Sequence, residues 1–196
     1  VFLWQSFLKG DDKSFSAIYH CYADQLLSYG YKFSTDREIV HDSIQEIFID
    51  LYEKRENTSV NIKNLKAYLF VALRNSIIKK VKKSRKYETL ELTDKQDIIP
   101  FYVEYSFQEK LIEEEISSEI NDTLKSAIKE LPARQKEIIY LKFEEELNYE
   151  QIAEILNISV ESCRKLLYRS LSSLRERIHP KPLIALFLFF CKKYHF

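Results

Sequence analysis

The sequence predicts an all-α fold of two small helical domains joined by an acidic linker. Only two glycines, Gly10 and Gly30, and four prolines occur in 196 residues, which starves the chain of the tight turns that sheets require. Apolar residues recur at steps of three and four, and strand-like alternation is absent. Hydrophobic residues make up 45% of the chain and aromatics 14%, enough material for cores and too much for wholesale disorder. The same lack of glycine excludes a Gly-rich nucleotide-binding fingerprint.

Taken in order, Phe15, Ile18, Tyr19, Tyr22 and Leu26 form one buried helical stripe after the polar start Asp11, Asp12, Lys13 and Ser14. Ile39, Ile44, Ile47, Phe48 and Leu51 carry a second helix, and the polar segment 56–61 interrupts as a loop. Residues 67–73 are apolar on every side, which predicts a helix enclosed by neighbours. That helix runs directly into a basic segment, so it is anchored at one end and displays cations at the other. The stretch from Thr89 to Phe107 holds Pro100 and has no clean period, as expected of a connector. The resulting division is a first domain over 5–88, an acidic linker over 89–115, a second domain over 116–179 and an apolar tail over 180–196.

The second domain begins its clearest pattern at Pro132, expected at the first position of a helix carrying Ile138, Ile139 and Phe143. Asn148 followed by Gln151 is a capping-box pattern, and Tyr149, Ile152, Ala153 and Leu156 follow at i, i+3, i+4 and i+7. Asn157 suits a left-handed turn and Ser159 suits the cap of the next helix. Val160, Cys163, Leu167, Leu171, Leu174 and Ile178 then form a long apolar stripe. A short and a long helix joined by so brief a turn make a helix-turn-helix.

Charge is segregated although the formal net charge is zero. From Lys63 to Lys86 there are nine basic residues and no acid, and from Glu88 to Asp122 eleven acids stand against Lys95 and Lys110. Such segregation costs self-repulsion that an anionic partner relieves. On the second helix of the helix-turn-helix, Arg164, Lys165, Tyr168 and Arg169 project opposite the apolar stripe, with Glu161 and Ser162 near the amino end. This is the part of such a helix that meets base edges in the major groove.

Cys21, Cys163 and Cys191 are few, odd in number and scattered, which points to a reducing compartment and away from disulfides or a clustered metal site. Cys163 belongs to the core stripe. The N-terminus reaches charge at Lys9 without a cleavable apolar core, so no secretory signal is expected, and the lack of an initiator Met implies that the first residues are absent. The run 183–191 is apolar but too short to span a bilayer. It is expected to pack on the second domain or on a partner protein. No nucleophile and base pairing, metal-ligand spacing or phosphate loop stands out, so neither enzymatic activity nor a cofactor is expected.

These features occur in a recognisable order. Ile18 to Tyr22, the segment Asp42-Ser43-Ile44-Gln45-Glu46-Ile47-Phe48, the segment Leu65 to Leu69 leading to Arg74 and Asn75, and Leu131-Pro132 through Tyr149 to Ala153 and on to Arg177 together resemble a bacterial sigma factor of the extracytoplasmic-function group. The resemblance implies a transcription initiation factor with a region 2 domain, a linker and a region 4 domain, acting in the cytoplasm on core RNA polymerase and promoter DNA. It also implies control by an anti-sigma factor. It assigns Asp42, Gln45 and Glu46 to core polymerase binding. It assigns Asn57, Asn61, Arg74, Asn75, Lys79, Lys82 and Lys83 to the −10 element, with a flipped base held near 56–61, and Glu161, Ser162, Arg164, Lys165, Tyr168 and Arg169 to the −35 element. Tyr68 stands where many relatives have tryptophan, Gln151 where glutamate is common, and Glu146 where glycine is frequent. The alternative is a helix-turn-helix regulator that never joins polymerase. The polar face at Asp42, Gln45 and Glu46 argues against it, since a simple repressor has no use for a second docking helix.

Overall fold

The computed structural model describes residues 2–56, 62–88, 100–102 and 116–177, and among these the secondary structure is helical with no strand. The chain divides into two compact units, Val1–Pro100 with Ala153–Asn157, and Phe101–Ile152 with Ile158–Phe196.

The N-terminal helices are α1 (Phe2–Leu8), α2 (Asp12–Gly30), α3 (Arg37–Glu53) and α4 (Leu65–Glu88), with a 3₁₀ turn at Lys54–Glu56 after α3. Short polar side chains set their starts by satisfying backbone N–H groups that a first turn leaves without partners. Asp11 accepts from the Lys13 N–H at 3.1 Å and from the Ser14 hydroxyl at 2.6 Å. Asp36 accepts from the Glu38 N–H at 2.9 Å, and Asn64 Oδ1 accepts from the Ala67 N–H at 3.0 Å. The Ser14 hydroxyl bond is the largest cause holding the Asp11 carboxyl below its ordinary value.

Ile18, Leu26, Tyr29, Val40, Leu51, Leu69, Phe70, Leu73 and Ile77 are wholly buried, and the Tyr29 and Phe70 rings stack at 4.9 Å. Each such large side chain contributes about 1.5–3 kcal/mol by leaving water. Gly30 sits where α2, α3 and α4 converge, since a Cβ there would lie 2.6 Å from Val40 Cγ1 and 3.2 Å from Ile77 Cδ1. Helix α1 is tied in by Phe7, which is 0% exposed and contacts the rings of Trp4, Phe15 and Tyr52. Gly10, at φ +105°, turns the chain from α1 into α2, a conformation that favours glycine.

Two expectations change here. Tyr19 is exposed, because the α2 stripe that faces the core runs through Ser14, Ile18, Ala23, Leu26 and Tyr29, leaving the Tyr19 ring outside against Phe48 at 4.8 Å. The apolar run of α4 is also not enclosed on every side. Ala67, Leu69, Phe70 and Leu73 are buried, while Tyr68, Val71 and Ala72 are half-buried on the opposite face.

The C-terminal helices are α5 (Ile116–Lys129), α6 (Ala133–Ile139), α7 (Tyr149–Leu156) and α8 (Val160–Arg177), with a π-turn at Tyr140–Glu144 closing α6. Helix α6 packs along α8, with Ile138, Ile139, Cys163, Leu167 and Leu174 buried. Burial raises the Cys163 thiol pKa, in keeping with a core side chain. Pro132 is the residue before α6 and not its first residue, which its extended ψ of 148° fixes. Phe101, expected in the linker, is 2% exposed and meets the Tyr140 ring edge-on at 5.9 Å. Of the expected linker, residues 89–99 and 103–115 lie outside the described residues, as does the tail 180–196. Among the described residues no helix is long and apolar enough to cross a membrane.

Candidate nucleic-acid and polymerase interfaces

Helix α4 sorts its side chains by the period of about 3.6 residues per turn. Leu69, Leu73, Ile77 and Val81 are buried, whereas Asn75, Lys79, Lys82 and Lys83 are exposed. Arg74 is half-buried at the edge. Tyr68, Asn75, Lys79 and Lys82 fall at steps of seven, four and three, so they share one face.

At the start of this face the Tyr68 hydroxyl donates to Asp50 Oδ2 at 3.0 Å and accepts from Lys54 Nζ at 2.5 Å. Lys54 also pairs with Asp50. Burial pushes the Asp50 carboxyl up, but the bonds from Lys54 and Tyr68 and the Lys54 charge outweigh it and leave the pKa lowered. Burial likewise pulls Lys54 down, and its bonds to Asp50 and Tyr68 reverse this to a net rise. The Tyr68 phenol is raised, chiefly by burial.

On α3, Asp42, Gln45 and Glu46 are exposed while Ser43, Ile44, Ile47 and Phe48 are buried. The exposed face continues through Ile49 and Tyr52, which are 59% and 44% exposed, so it is amphipathic and not merely acidic. Glu46 is also engaged within the fold: Lys80 Nζ lies 2.9 Å from its carboxylate and the Ser76 hydroxyl donates to it at 3.2 Å. The residue assigned to polymerase is thus linked to the basic helix, a pairing invisible in sequence.

The helix-turn-helix is built by the polar residues that the sequence singles out. The Asn148 N–H donates to Gln151 Oε1 at 2.9 Å, and the Gln151 N–H donates to Asn148 Oδ1 at 2.8 Å, closing a reciprocal capping box. Asn157 adopts φ +52°, and Ser159 Oγ accepts from the Ser162 N–H at 3.1 Å to start α8. Glu161, Ser162, Arg164, Lys165, Tyr168 and Arg169 are all exposed on α8, and Tyr168 reaches 76%. Two of the cations already have neighbours. Lys165 pairs with Glu161 at 2.6 Å, and the Arg164 guanidinium lies 5.4 Å from the centre of the Tyr149 ring, which Lys142 approaches to 5.1 Å. Arg164 therefore helps fix α7 against α8. Asn57 and Asn61 lie outside the described residues.

The family model for sigma-70 region 2 matches residues 18–87, and that for sigma-70 region 4 matches residues 121–174. The chain belongs to the sigma-70 family. Within it, the relatives place the chain among extracytoplasmic-function sigma factors, which are transcription initiation factors. It is 27% identical over 173 residues to the ECF RNA polymerase sigma factor SigW of Bacillus subtilis, covering 87% of this chain and 91% of that one. It is 28% identical over 158 residues to SigM of the same organism, covering 81% and 91%. The fold is similar to that of the sigma factor RpoE in its complex with the anti-sigma factor NepR from Bartonella quintana, at a TM-score of 0.58 and 21% identity over 84% of this chain and 96% of that one. It is also similar to CnrH in complex with the cytosolic domain of CnrY, at a TM-score of 0.55 and 14% identity over 88% and 92%. A sigma factor's region 2 in front of its helix-turn-helix sets aside the regulator that acts without polymerase.

Proposed function

We propose that this sigma factor docks on core RNA polymerase through the exposed face of α3, holds the −10 strand along α4 and reads the −35 element with α8. The observation that carries the division of labour is the single exposed face of α4, where Tyr68, Asn75, Lys79 and Lys82 line up within the region 2 match. An aromatic ring and an amide beside a row of ammonium groups combine base-directed contacts with phosphate neutralisation, the pairing that single-stranded nucleic acid calls for. The α8 face differs in kind: Glu161, Ser162, Lys165, Tyr168 and Arg169 are exposed near the start of a helix that a duplex groove accommodates.

In this reading Asp42, Gln45 and Glu46 supply the polar contacts to polymerase, and Ile49 and Tyr52 extend them with apolar area. Asn57 and Asn61, which lie outside the described residues, are assigned to capture of a flipped −10 base. The factor works in the cytoplasm, performs no chemistry of its own, and answers to an anti-sigma factor that covers one of these faces. The anti-sigma complexes of the two structural neighbours support that last point.

The test is reconstitution. The purified chain is added to core polymerase, and transcription start sites across the source genome are mapped. Initiation from a set of promoters sharing −35 and −10 elements is expected. Failure to stimulate initiation from any promoter would contradict the assignment.

A further inference from the structure

We propose that Asp50 and Lys54 are positioning residues, which lock the ring of Tyr68 as the platform against which an unpaired base of the −10 strand stacks. The proposal deepens the assignment of α4 to the −10 strand and rests on it.

Three elements converge on one phenol. Asp50 comes from the last turn of α3, Lys54 from the 3₁₀ turn that follows, and Tyr68 from the first turn of α4. A phenolic hydroxyl has one proton to give. Here it gives that proton to Asp50 at 3.0 Å and accepts from Lys54 at 2.5 Å, while Lys54 and Asp50 pair with each other. The ring is therefore held at both ends, by its Cα on α4 and by its oxygen on the two partners. A half-buried aromatic ring on an exposed helical face otherwise exchanges among the staggered rotamers of its first side-chain torsion.

What the lock aims at follows from the helix. Asn75 lies two turns further on the same face, about 10 Å along the axis, and Lys79 and Lys82 continue the line. A strand tracking those ammonium groups ends on the Tyr68 ring. Stacking gains most from a platform that needs no ordering when the base arrives. A tryptophan or phenylalanine offers the ring but gives this pair of side chains no oxygen to grip.

A simple tie between helices has the same contacts, so the test must separate fold from strand binding. Holoenzymes carrying Tyr68→Phe, Asp50→Asn, both together, or Tyr68→Ala are compared on a duplex promoter and on a forked template with an unpaired −10 non-template strand. Melting of each free chain is followed in parallel. Tyr68→Phe removes both hydrogen bonds of the phenol, Asp50→Asn leaves an acceptor but removes the charge that holds Lys54, and each should weaken fork binding by about two- to ten-fold. The double variant should lose no more than the larger single, and duplex affinity should be unchanged within about two-fold. Tyr68→Ala should lose about ten-fold or more on the fork, because the ring goes too.

Equal losses on fork and duplex would overturn the proposal in favour of a fold tie, and additive losses in the double variant would overturn it by showing that Asp50 acts independently of the Tyr68 ring. Unchanged fork binding with Tyr68→Phe and Asp50→Asn would also overturn it. In that case Asn75→Ala distinguishes the cause: if it still weakens the fork, only the positioning role fails, and if it does not, the assignment of α4 to the strand fails with it.

Discussion

At the residue scale, backbone conformation and side-chain partners tell the polar residues apart. Glu146 adopts φ +55° and is exposed, in the turn between the π-segment and α7. A side chain there carries the left-handed penalty with no contact to offset it, so Glu146→Gly is expected to stabilise the free chain by about 0.5–1 kcal/mol. Thermal melting of the free chain measures this. The exposed cations of α8 divide as well. Lys165→Ala or Arg169→Ala should relax preference at particular −35 positions by about 1–3 kcal/mol. Arg164→Ala removes the guanidinium from the Tyr149 ring, and it should lower the melting temperature while weakening all −35 sequences alike. A panel of single-base −35 variants, bound by each holoenzyme, separates the two patterns.

At the scale of elements, the helix-turn-helix was largely legible because its signals are local. Asn148 and Gln151 cap each other, and Asn157 turns left-handed as its side chain favours. What was not legible is what joins residues distant in sequence. The Ser76 to Glu46 bond spans 30 residues and the Tyr68 to Asp50 bond spans 18, so no periodicity announces either. Tyr19 misled for a related reason: its spacing fits the stripe of α2, but the direction in which α3 packs leaves it outside. The π-turn at Tyr140–Glu144 has no sequence signature, and its geometry brings the buried Glu145 carboxylate to accept from the Tyr140 hydroxyl at 2.8 Å. The Glu46 link has a consequence for α3. Glu46→Lys places a cation against Lys80, so it should weaken co-purification with core polymerase at a folding cost of no more than about 1 kcal/mol. Unaltered co-purification would remove this face from the interface.

At the scale of the whole molecule, a formal net charge of zero conceals a chain whose basic and acidic residues are sorted along its length. Counterion release makes that sorting measurable. Neutralising Lys82 and Lys83 together should reduce the slope of log affinity against log salt by about 0.7 to 0.9 for each phosphate left without its cation, the lower value applying to single strands. The helical class followed from glycine shortage and apolar period, and the order of regions from the family resemblance that the motifs carry. Phe101, within the expected linker, is a core residue beside Tyr140, a contact across 39 residues that no periodicity announces.

The central claim is that α4 holds an unpaired −10 strand, and Asn75 is the polar side chain on its exposed face between the Tyr68 ring and the lysines. Permanganate footprinting of holoenzyme on a cognate promoter tests it most directly, because only unstacked thymines react. Wild type should give reactive thymines in the −10 region, and Asn75→Ala should reduce them while closed-complex binding is retained. Absence of reactive thymines with wild type on every cognate promoter, or full reactivity with Asn75→Ala, would contradict it.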